Sequence, residues 1–504
     1  MNTRWSKKAG VLASSLALAV SASACTSSGG DDGAGAFGSL DREDKGTLKV
    51  AYFNEEAFYM QYGNAFQAMF PNVELEVVST ENAMSAEDPV AGMEQLLQDE
   101  QPDALFLTED QYAALSGKGL LYDLDAAVKQ DEFDLDAFLP SVIDLLKARG
   151  GGKLYGLSPS FASQALYYNK DLFDKHGIPY PTDGMSWEEI MQLATRFPVK
   201  KGSDNVKIGE VGQDDALYGL SQPISASDPF DLIRTIGEAK GLVYADSESK
   251  TVSIDTPEWK QIFDSVIAGY KTGSITMPSS GGGGGAMAMG GLVMRSSGGK
   301  TAISIGPNTM RFMNGQSAMA IDGPMIMNML GMGASMGAAR TQTKSAGGGA
   351  VTLKPIGEGL NWDIVTIPTD PSQPGVSGSM SLDSVFSINA ASENLSAAWE
   401  FLKYANGEQL AKTSSKSSPS LSARTAYKND AGGKNIDAFY SLEVNDQSLL
   451  QALPAGFVDS FAQLASDNIA KAVNDQQTVD EALKAIQSQG QDSLTQALAD
   501  EAKG

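Results

Sequence analysis

The sequence predicts an α/β protein with enough chain for two domains. From residue 46 onward, short apolar runs typical of buried strands alternate with amphipathic helical patterns. The chain has 504 residues, of which 42% are hydrophobic, and this is sufficient for two cores of ordinary size. Beyond the first 24 residues, no stretch of the sequence is long and apolar enough to suggest a transmembrane helix.

The first strands and helices follow one another in the order of a βαβ unit. Residues 48–53 predict a strand, residues 56–70 an amphipathic helix closed by a proline, and residues 73–78 a second strand. Residues 93–98 are helical in pattern, and residues 104–107 predict a third, short apolar strand. This alternation is the start of an open α/β sheet.

Two polar loops follow the first and third predicted strands. Asn54, Glu55 and Glu56 come after the first strand, and Glu109 and Asp110 come after the third. Because ligands of open α/β sheets sit beyond the carboxyl ends of strands, these five residues are candidates for ligand binding. Solvated acidic turns and helix caps explain the same residues equally well.

The first 24 residues have the three parts of a cleavable export signal. A positively charged start precedes an apolar run at residues 9–20, and small residues lead up to Cys25. This region resembles a bacterial lipobox, which implies that Cys25 is lipidated and anchors the protein to the outer face of a membrane. Ala22 stands where that pattern usually has Leu, so secretion without a lipid is the alternative. Residues 25–45, rich in Ser, Gly and Asp, predict a flexible stalk.

Charge and composition exclude several classes of function. The net charge of −25 argues against nucleic acid as a partner. With one cysteine and one histidine, the chain has neither a disulfide framework nor the ligands of an ordinary Cys/His zinc site, so we expect no metal and no cofactor. A nucleophile-elbow pattern occurs at residues 333–337, but the sole histidine, His176, precedes it, whereas in α/β-hydrolases the histidine follows.

The stretch at residues 278–350 is rich in glycine and methionine. It includes a glycine run at residues 281–285 and predicts an inserted or expanded loop on either side of a more regular segment. Its Met-x-Met pairs could bind Cu(I) through their thioether sulfurs. Methionine also commonly fills gaps in hydrophobic cores, and this packing role is favoured because no histidine or cysteine lies nearby in the sequence.

Several motifs together resemble family 1 extracellular solute-binding proteins, the receptor subunits of ABC importers. They occur in the family's order and extend over essentially the whole chain after the stalk: GKLYGL at residues 152–157, ALYYNKDLF at 165–173, WEEI at 187–190, FMNGQSAMAIDGP at 312–324, AWEFLKY at 398–404 and QTVDEAL at 477–483.

The resemblance implies a two-lobed, type II periplasmic-binding-protein-like fold, with a hinge between the lobes and a ligand cleft between them. The implied division makes residues 1–24 the signal peptide and residues 25–45 the stalk. The first lobe would take residues 46–155 and 378–433, and the second lobe residues 156–377 and 434–504. The insertion at about 278–350 would belong to the second lobe.

The resemblance also implies a function. The protein would be a monomeric, non-enzymatic lipoprotein outside the cytoplasm, held at the membrane by its lipid alone. It would capture a carbohydrate, expected to be an oligosaccharide, and deliver it to the permease subunits of an ABC importer by lobe closure. The alternatives are a non-sugar solute, a sensor input to a signalling receptor, and a secreted carbohydrate-active enzyme.

Aromatic residues fall into two predicted groups. Family counterparts of Phe161, Phe230 and Phe457 line the cleft, and we expect truncation of Phe230 or Phe457 to weaken binding by about 1 to 3 kcal/mol. Met325 stands where sugar-binding relatives often carry a Trp, which favours a smaller or differently shaped saccharide. A second group is expected in the core, since large aromatics at helix starts usually anchor the apolar face: Tyr168, Trp187, Trp399 and Phe401.

Overall fold

The computed structural model describes residues 38–501 with gaps. The residues left out within that range are 39, 87, 201–215, 224–225, 227, 248, 279–285, 290–291, 298–299, 306, 336–358, 378, 416–417, 419, 430–431 and 445–452. The predicted signal peptide, Cys25, most of the stalk and the glycine run at 281–285 therefore lie outside the described residues.

The strands are short and distributed along the whole described chain. In order they are β1 (Gly46–Tyr52), β2 (Val73–Ser79), β3 (Ala104–Leu107), β4 (Gly156–Leu157), β5 (Ser160–Ala162), β6 (Ala165–Asn169), β7 (Tyr218–Ser221), β8 (Ala245–Asp246), β9 (Thr251–Val252), β10 (Ala286–Met289), β11 (Leu292–Ser297), β12 (Lys300–Ile305), β13 (Ser317–Asp322), β14 (Trp362–Thr366), β15 (Val376–Ser377), β16 (Ser381–Leu382), β17 (Val385–Ile388), β18 (Leu421–Ser422) and β19 (Glu443–Val444).

The helices alternate with these strands. They are α1 (Glu55–Phe58), α2 (Asn64–Met69), α3 (Glu81–Met84), α4 (Pro89–Glu100), α5 (Glu109–Gly117), α6 (Asp125–Gln130), α7 (Pro140–Arg149), α8 (Lys170–His176), α9 (Trp187–Thr195), α10 (Phe230–Ala239), α11 (Pro257–Thr272), α12 (Pro307–Met313), α13 (Pro324–Ser335), α14 (Leu395–Ala405), α15 (Glu408–Ser414), α16 (Ala455–Val473) and α17 (Val479–Glu501). A π-helix at Tyr59–Gly63 joins α1 to α2, and 3₁₀ turns occupy Thr425–Tyr427 and Ile436–Phe439.

Two main sheets define a two-lobed α/β fold, as the sequence predicts. The first has five strands in the order β2-β1-β3-β17-β4, with β1 parallel to both β2 and β3, and β17 antiparallel to β3 and β4. The second has four strands in the order β14-β6-β13-β7, with β13 parallel to β7 and antiparallel to β6. The chain leaves the first sheet after β4, builds all of the second sheet from β6 to β14, and returns to the first at β17, so it passes between the sheets more than once.

The first sheet packs in one hydrophobic core, whereas the second sheet lies between this core and a second one, contributing Tyr167 to the first and Leu166 to the second. The first core includes Leu48, Val50 and Leu105 from the strands of the first sheet. The second includes Leu220 from β7 and Ile233 from α10. The aromatic side chains predicted to anchor helices are all buried, which confirms that prediction; their exposed fractions are 7% for Tyr168, 2% for Trp187, 1% for Trp399 and 0% for Phe401.

Three crossing segments connect the lobes, and each contributes one strand to a small sheet. In this sheet, called the crossing sheet below, β5 lies between β16 and β18 and is antiparallel to both. Phe161 is its central residue, opposite Leu382 on one side and Leu421 on the other. The three connections are therefore hydrogen-bonded to one another rather than independent.

Side-chain caps explain where several helices begin. Thr108 and Gln111 form a capping box at the start of α5, in which each side chain bonds the other residue's backbone N–H. Ser186 and Glu189 form the same arrangement at the start of α9.

The glycine- and methionine-rich stretch differs from its prediction. The sequence suggests an expanded loop there, but β10, β11 and β12 pair as a three-stranded antiparallel sheet. The expectation of loop is therefore wrong for these strands. Short apolar runs separated by glycines are compatible with β-hairpins. The high glycine content favoured a loop prediction, so these strands were not predicted from the sequence.

Candidate functional site

The carboxyl ends of the parallel strands in the first sheet lie along one edge. β1 ends at Tyr52 and β3 at Leu107, and β17 begins opposite Leu107 at Val385. The polar loops predicted to bind ligand follow β1 and β3, so the structure brings both loops to this edge. It adds Asp383, which precedes β17 at the same edge.

The loop after β1 forms a helix cap. Asn54 is half-buried, and its Oδ1 accepts a hydrogen bond from the backbone N–H of Ala57 at 2.9 Å, which caps α1. Its Nδ2 donates to Glu81 at 3.4 Å. Glu55 and Glu56 occupy the exposed first turn of α1, where negative charge is favourable.

The two carboxylates after β3 differ in their surroundings. Glu109 accepts a hydrogen bond from Arg149 Nε at 2.6 Å on one oxygen and from the backbone N–H of Leu382 at 2.7 Å on the other. The side chain thereby ties α7 to the second crossing segment, and both of its oxygens already have protein partners. Asp110 is exposed in the first turn of α5. Contact of either residue with a ligand stays a prediction.

The three phenylalanines predicted to stack on a ligand are core residues in this structure. Phe161 is 0% exposed and packs edge-to-face against Tyr440 at 5.2 Å between ring centroids. Phe230 is 2% exposed and Phe457 is 0% exposed, and both pack against Phe461. In the described conformation none of the three presents a ring face to a ligand.

Phe53 is the aromatic side chain that sequence reasoning missed. The sequence assigns it to the end of the first strand, but β1 ends at Tyr52, and Phe53 is 50% exposed at the carboxyl edge. An exposed aromatic directly after a buried strand is the signal that could have identified it.

Asp383 was also missed. Asp383 lies between β16 and β17 and is exposed to solvent. Desolvation by the surrounding protein raises the pKa of its carboxyl, and hydrogen bonds with Ser420 and Ser160 oppose the rise in part.

The second sheet presents a matching edge. β7 ends at Ser221 and β13 at Asp322, and these strands are parallel. Ala165, the first residue of β6, lies opposite Asp322 and also opposite Thr366, the last residue of β14. Met325 is half-buried in the first turn of α13, directly after β13, so the structure places this predicted residue at the same edge.

The crossings run from one carboxyl edge to the other. The first leaves the first sheet at Leu157, the end of β4, and enters the second at Ala165, the start of β6. Eight residues of chain span roughly 28 Å at full extension, which limits the separation of the two edges. The second crossing runs from Thr366 back to Val385. The two edges therefore border a common cleft beside the crossing sheet.

A cavity of about 180 Å³ opens at the edge of the second sheet. Its lining combines residues from α9, α10, the end of β7 and two crossing segments, among them Gln164, Trp187, Gln222, Arg234, Glu238 and Ser379.

The charged part of the lining is a cluster on one face of α10. Arg234 donates to Glu238 at 2.9 Å and to Asp231 at 3.3 Å. Burial raises the pKa of the Glu238 carboxyl, and the attraction of Arg234 opposes that rise. Burial alone would lower the pKa of Arg234, but Glu238 and Asp231 hold it above its ordinary value. The guanidinium is thus already shared between two carboxylates.

Two other features concern the described part of the chain as a whole. No helix in it is long and apolar enough to cross a membrane. Within the same residues, no three histidine, cysteine or acidic side chains lie close enough together to hold a metal ion.

The structure has two α/β lobes that are joined by crossing segments, and a cleft lies at the carboxyl edges of both sheets. This architecture is that of a two-lobed ligand-binding protein. The family comparison agrees with this class. Residues 61–440 match the model of the bacterial extracellular solute-binding proteins, and the chain belongs to that family.

Related proteins give the same fold with low sequence identity. An ABC substrate-binding protein of Listeria monocytogenes, solved in complex with cycloalternan, is 18% identical, with a TM-score of 0.56 over 90% of this chain and 100% of that one. A sugar transporter of Rhizobium etli in an open conformation is 19% identical, with a TM-score of 0.59 over 88% and 99%. A Brucella abortus protein described as a binding protein is 36% identical over 101 residues, which are 19% of this chain and 22% of that protein. The chain thus matches about a fifth of the length of this curated relative.

Proposed function

We propose that this protein is an extracytoplasmic receptor that captures a carbohydrate between its two lobes and delivers it to the permease subunits of an ABC importer. The lobes would comprise residues 46–155 with 378–433, and residues 156–377 with 434–504. The protein would act as a monomer and close around its ligand.

One observation carries the proposal: two crossings connect the carboxyl edge of one sheet directly to the carboxyl edge of the other. A ligand bound between these edges contacts both lobes, and its differential affinity for the closed form supplies the free energy of closure. Because β5 is hydrogen-bonded to both of the other crossing strands, we expect the lobes to rotate about one common axis.

The chemistry of both edges supports a sugar as the ligand. A sugar ring has an apolar face and a rim of hydroxyls, so it needs an aromatic or apolar surface together with polar groups. Phe53 offers half of its surface at the first edge, where Asn54 and Asp383 supply polar atoms. At the second edge the lining of the cavity adds polar side chains, among them Gln164 and Ser379 from the two crossings. The Listeria neighbour, which carries cycloalternan, supports this class of ligand.

The anchor is a separate proposal, resting on sequence. The lipobox-like segment before Cys25 supports lipidation of that cysteine and attachment to the outer face of the membrane. Radiolabelled palmitate should enter the wild-type chain but not the Cys25→Ser variant. Label in both would contradict lipidation at this cysteine, and label in neither would favour secretion without a lipid.

The experiment that tests the function is a thermal-shift and calorimetric screen of the full chain against neutral mono- and oligosaccharides, amino acids and metal ions. A ligand at a hundred times its Kd should add about 2.7 kcal/mol of stability. We expect a shift with a saccharide that is recovered chemically unchanged. A shift with an amino acid alone would overturn the carbohydrate assignment, and hydrolysis of the sugar would overturn the receptor assignment.

A further inference from the structure

Three methionines of the glycine- and methionine-rich stretch share one face of the sheet formed by β10, β11 and β12. Met287 and Met289 are two residues apart on β10, and Met294 on β11 is the register partner of Met287. Successive residues of a strand alternate between the two faces of a sheet, and directly opposite residues lie on the same face. The register therefore assigns all three methionines to one face, at adjacent positions.

The spacing of these positions suits three ligands of one ion. Cross-strand partners have Cβ atoms about 5 Å apart, and residues i and i+2 of a strand are separated by roughly 7 Å. Methionine has a long, unbranched side chain with three rotatable bonds. Thioethers carried at such positions are able to meet at a common point.

The rest of this face is apolar around the methionines. The register adds Leu292, Ile303 and Ile305 to it. The two ionisable residues of the three strands, Arg295 and Lys300, fall on the opposite face. The six apolar positions therefore supply no carboxylate, imidazole or thiol. Hard and borderline cations require such ligands, whereas neutral thioethers are suited to the soft ion Cu(I).

The same sequence pattern has a different outcome on a helix. Met325, Met327 and Met329 repeat the Met-x-Met spacing in α13, but residues two apart on a helix lie about 200° apart around its axis. Met327 is 3% exposed in the first core, and Met325 and Met329 are half-buried. Packing thus accounts for the methionines of α13, whereas the register of β10 and β11 gathers theirs on one face.

We propose that Met287, Met289 and Met294 form a thioether site for Cu(I). This site is independent of the sugar-binding function proposed above. Cysteine, histidine and carboxylate ligands must lose a proton to bind a metal, but a thioether has no proton to lose. The affinity should therefore be the same at pH 7 and pH 5, which distinguishes this site from one built of ionisable ligands.

The test uses the full chain with Cys25→Ser, which removes the only thiol. Met287→Leu combined with Met289→Leu removes two thioethers and keeps apolar side chains of similar size. Met294→Leu does the same on the second strand. The matched control is Met327→Leu combined with Met329→Leu, which removes a Met-x-Met pair from α13.

The probes are Cu(I) kept reduced with ascorbate, Ag(I) and Zn(II). Ag(I) is also soft and monovalent, and it needs no reductant. Affinity for Cu(I) is measured by competition with bathocuproine disulfonate, and affinities for Ag(I) and Zn(II) are measured by calorimetry. The melting temperature of each metal-free variant is recorded, since it shows whether a loss of binding reflects a loss of fold.

We expect the Cys25→Ser chain to bind Cu(I) and Ag(I) with affinities that agree within about twofold at pH 7 and pH 5, and to bind Zn(II) at least about tenfold more weakly. The β10 pair and Met294→Leu should each weaken binding of Cu(I) and Ag(I) at least about tenfold at an unchanged melting temperature, and the α13 pair should leave it within about twofold. Absence of binding by the Cys25→Ser chain, an equal loss in both Met-x-Met pairs, or an affinity that falls at pH 5 would overturn the inference. Zn(II) binding as tight as that of Ag(I) would overturn it as well.

Discussion

Phe53→Ala separates ligand recognition from folding. Phe53 is 50% exposed, so its truncation removes little core packing. A phenylalanine buries roughly 200 Å² when fully covered, so covering the exposed half is worth about 2.5 kcal/mol at most. A sugar ring covers only part of that surface, and we expect a loss of about 1 to 2 kcal/mol, which is roughly five- to thirtyfold in Kd.

The buried phenylalanines provide the contrast. Phe230→Ala and Phe457→Ala empty core positions and should lower the free energy of unfolding by about 3 to 5 kcal/mol, whereas Phe53→Ala should change it by less than about 0.5 kcal/mol. Met69→Ala is the matched control, because it removes an apolar side chain that is 43% exposed on α2.

The assay is calorimetric titration with the sugar that the wild type binds, combined with urea denaturation of each variant. Equal affinity of Phe53→Ala and wild type would refute the reasoning that places Phe53 in the cleft. Weakened binding by a fully folded Phe230→Ala variant would instead restore the sequence-based assignment.

Three further changes test hydrogen bonding, an ion pair and packing within the lobes. Glu109→Ala removes the acceptor of two hydrogen bonds and should lower the free energy of unfolding by about 2 to 4 kcal/mol in urea; a loss below 0.5 kcal/mol would show that the tie is unimportant. The hydrogen bond from Lys403 holds the pKa of Asp131 below its ordinary value of 3.8, so the carboxylate stabilises the fold above that pH, and this contribution is lost as the pH falls through the folded-state pKa. The stability difference between wild type and Asp131→Asn should therefore shrink from pH 7 to pH 2, and a constant difference would contradict the cause given. Gly237→Ala would place a Cβ 2.1 Å from the Trp259 ring and should cost about 1 to 3 kcal/mol in thermal denaturation; a loss below 0.5 kcal/mol would contradict the tight packing of α10 against this ring.

Local sequence patterns predicted those helices and strands well whose formation depends on residues close together in the sequence. Residues 104–107 form β3 as predicted, because a short apolar run between polar residues has few alternatives. Residues 56–70 were predicted as one helix, and the structure has α1, the π-helix and α2 over nearly the same run. The inserted π-turn leaves no clear mark in the pattern of apolar residues.

The cleft was harder to predict because burial there depends on residues far apart in the sequence. Phe161 is buried since β5 lies between two strands that come more than 200 residues later. Trp187 was predicted as a core residue, which is confirmed, but its meeting with Gln222 in one cavity follows from tertiary packing of α9 against β7. No spacing in the sequence indicates that contact.

The strand order of the first sheet has a consequence for how the chain folds during synthesis. β17 lies between β3 and β4, although β3 ends at Leu107 and β17 begins at Val385. All four strands of the second sheet have emerged by Thr366, so that sheet can form while the first still lacks a central strand. Non-local pairing of this kind slows folding, and domains that lie earlier in a chain usually fold first. Here the N-terminal sheet stays open until more than three-quarters of the chain has been made, and the second core is completed only when α16 and α17 supply Phe457 and Leu483. We therefore expect neither lobe to fold stably before the chain is nearly complete.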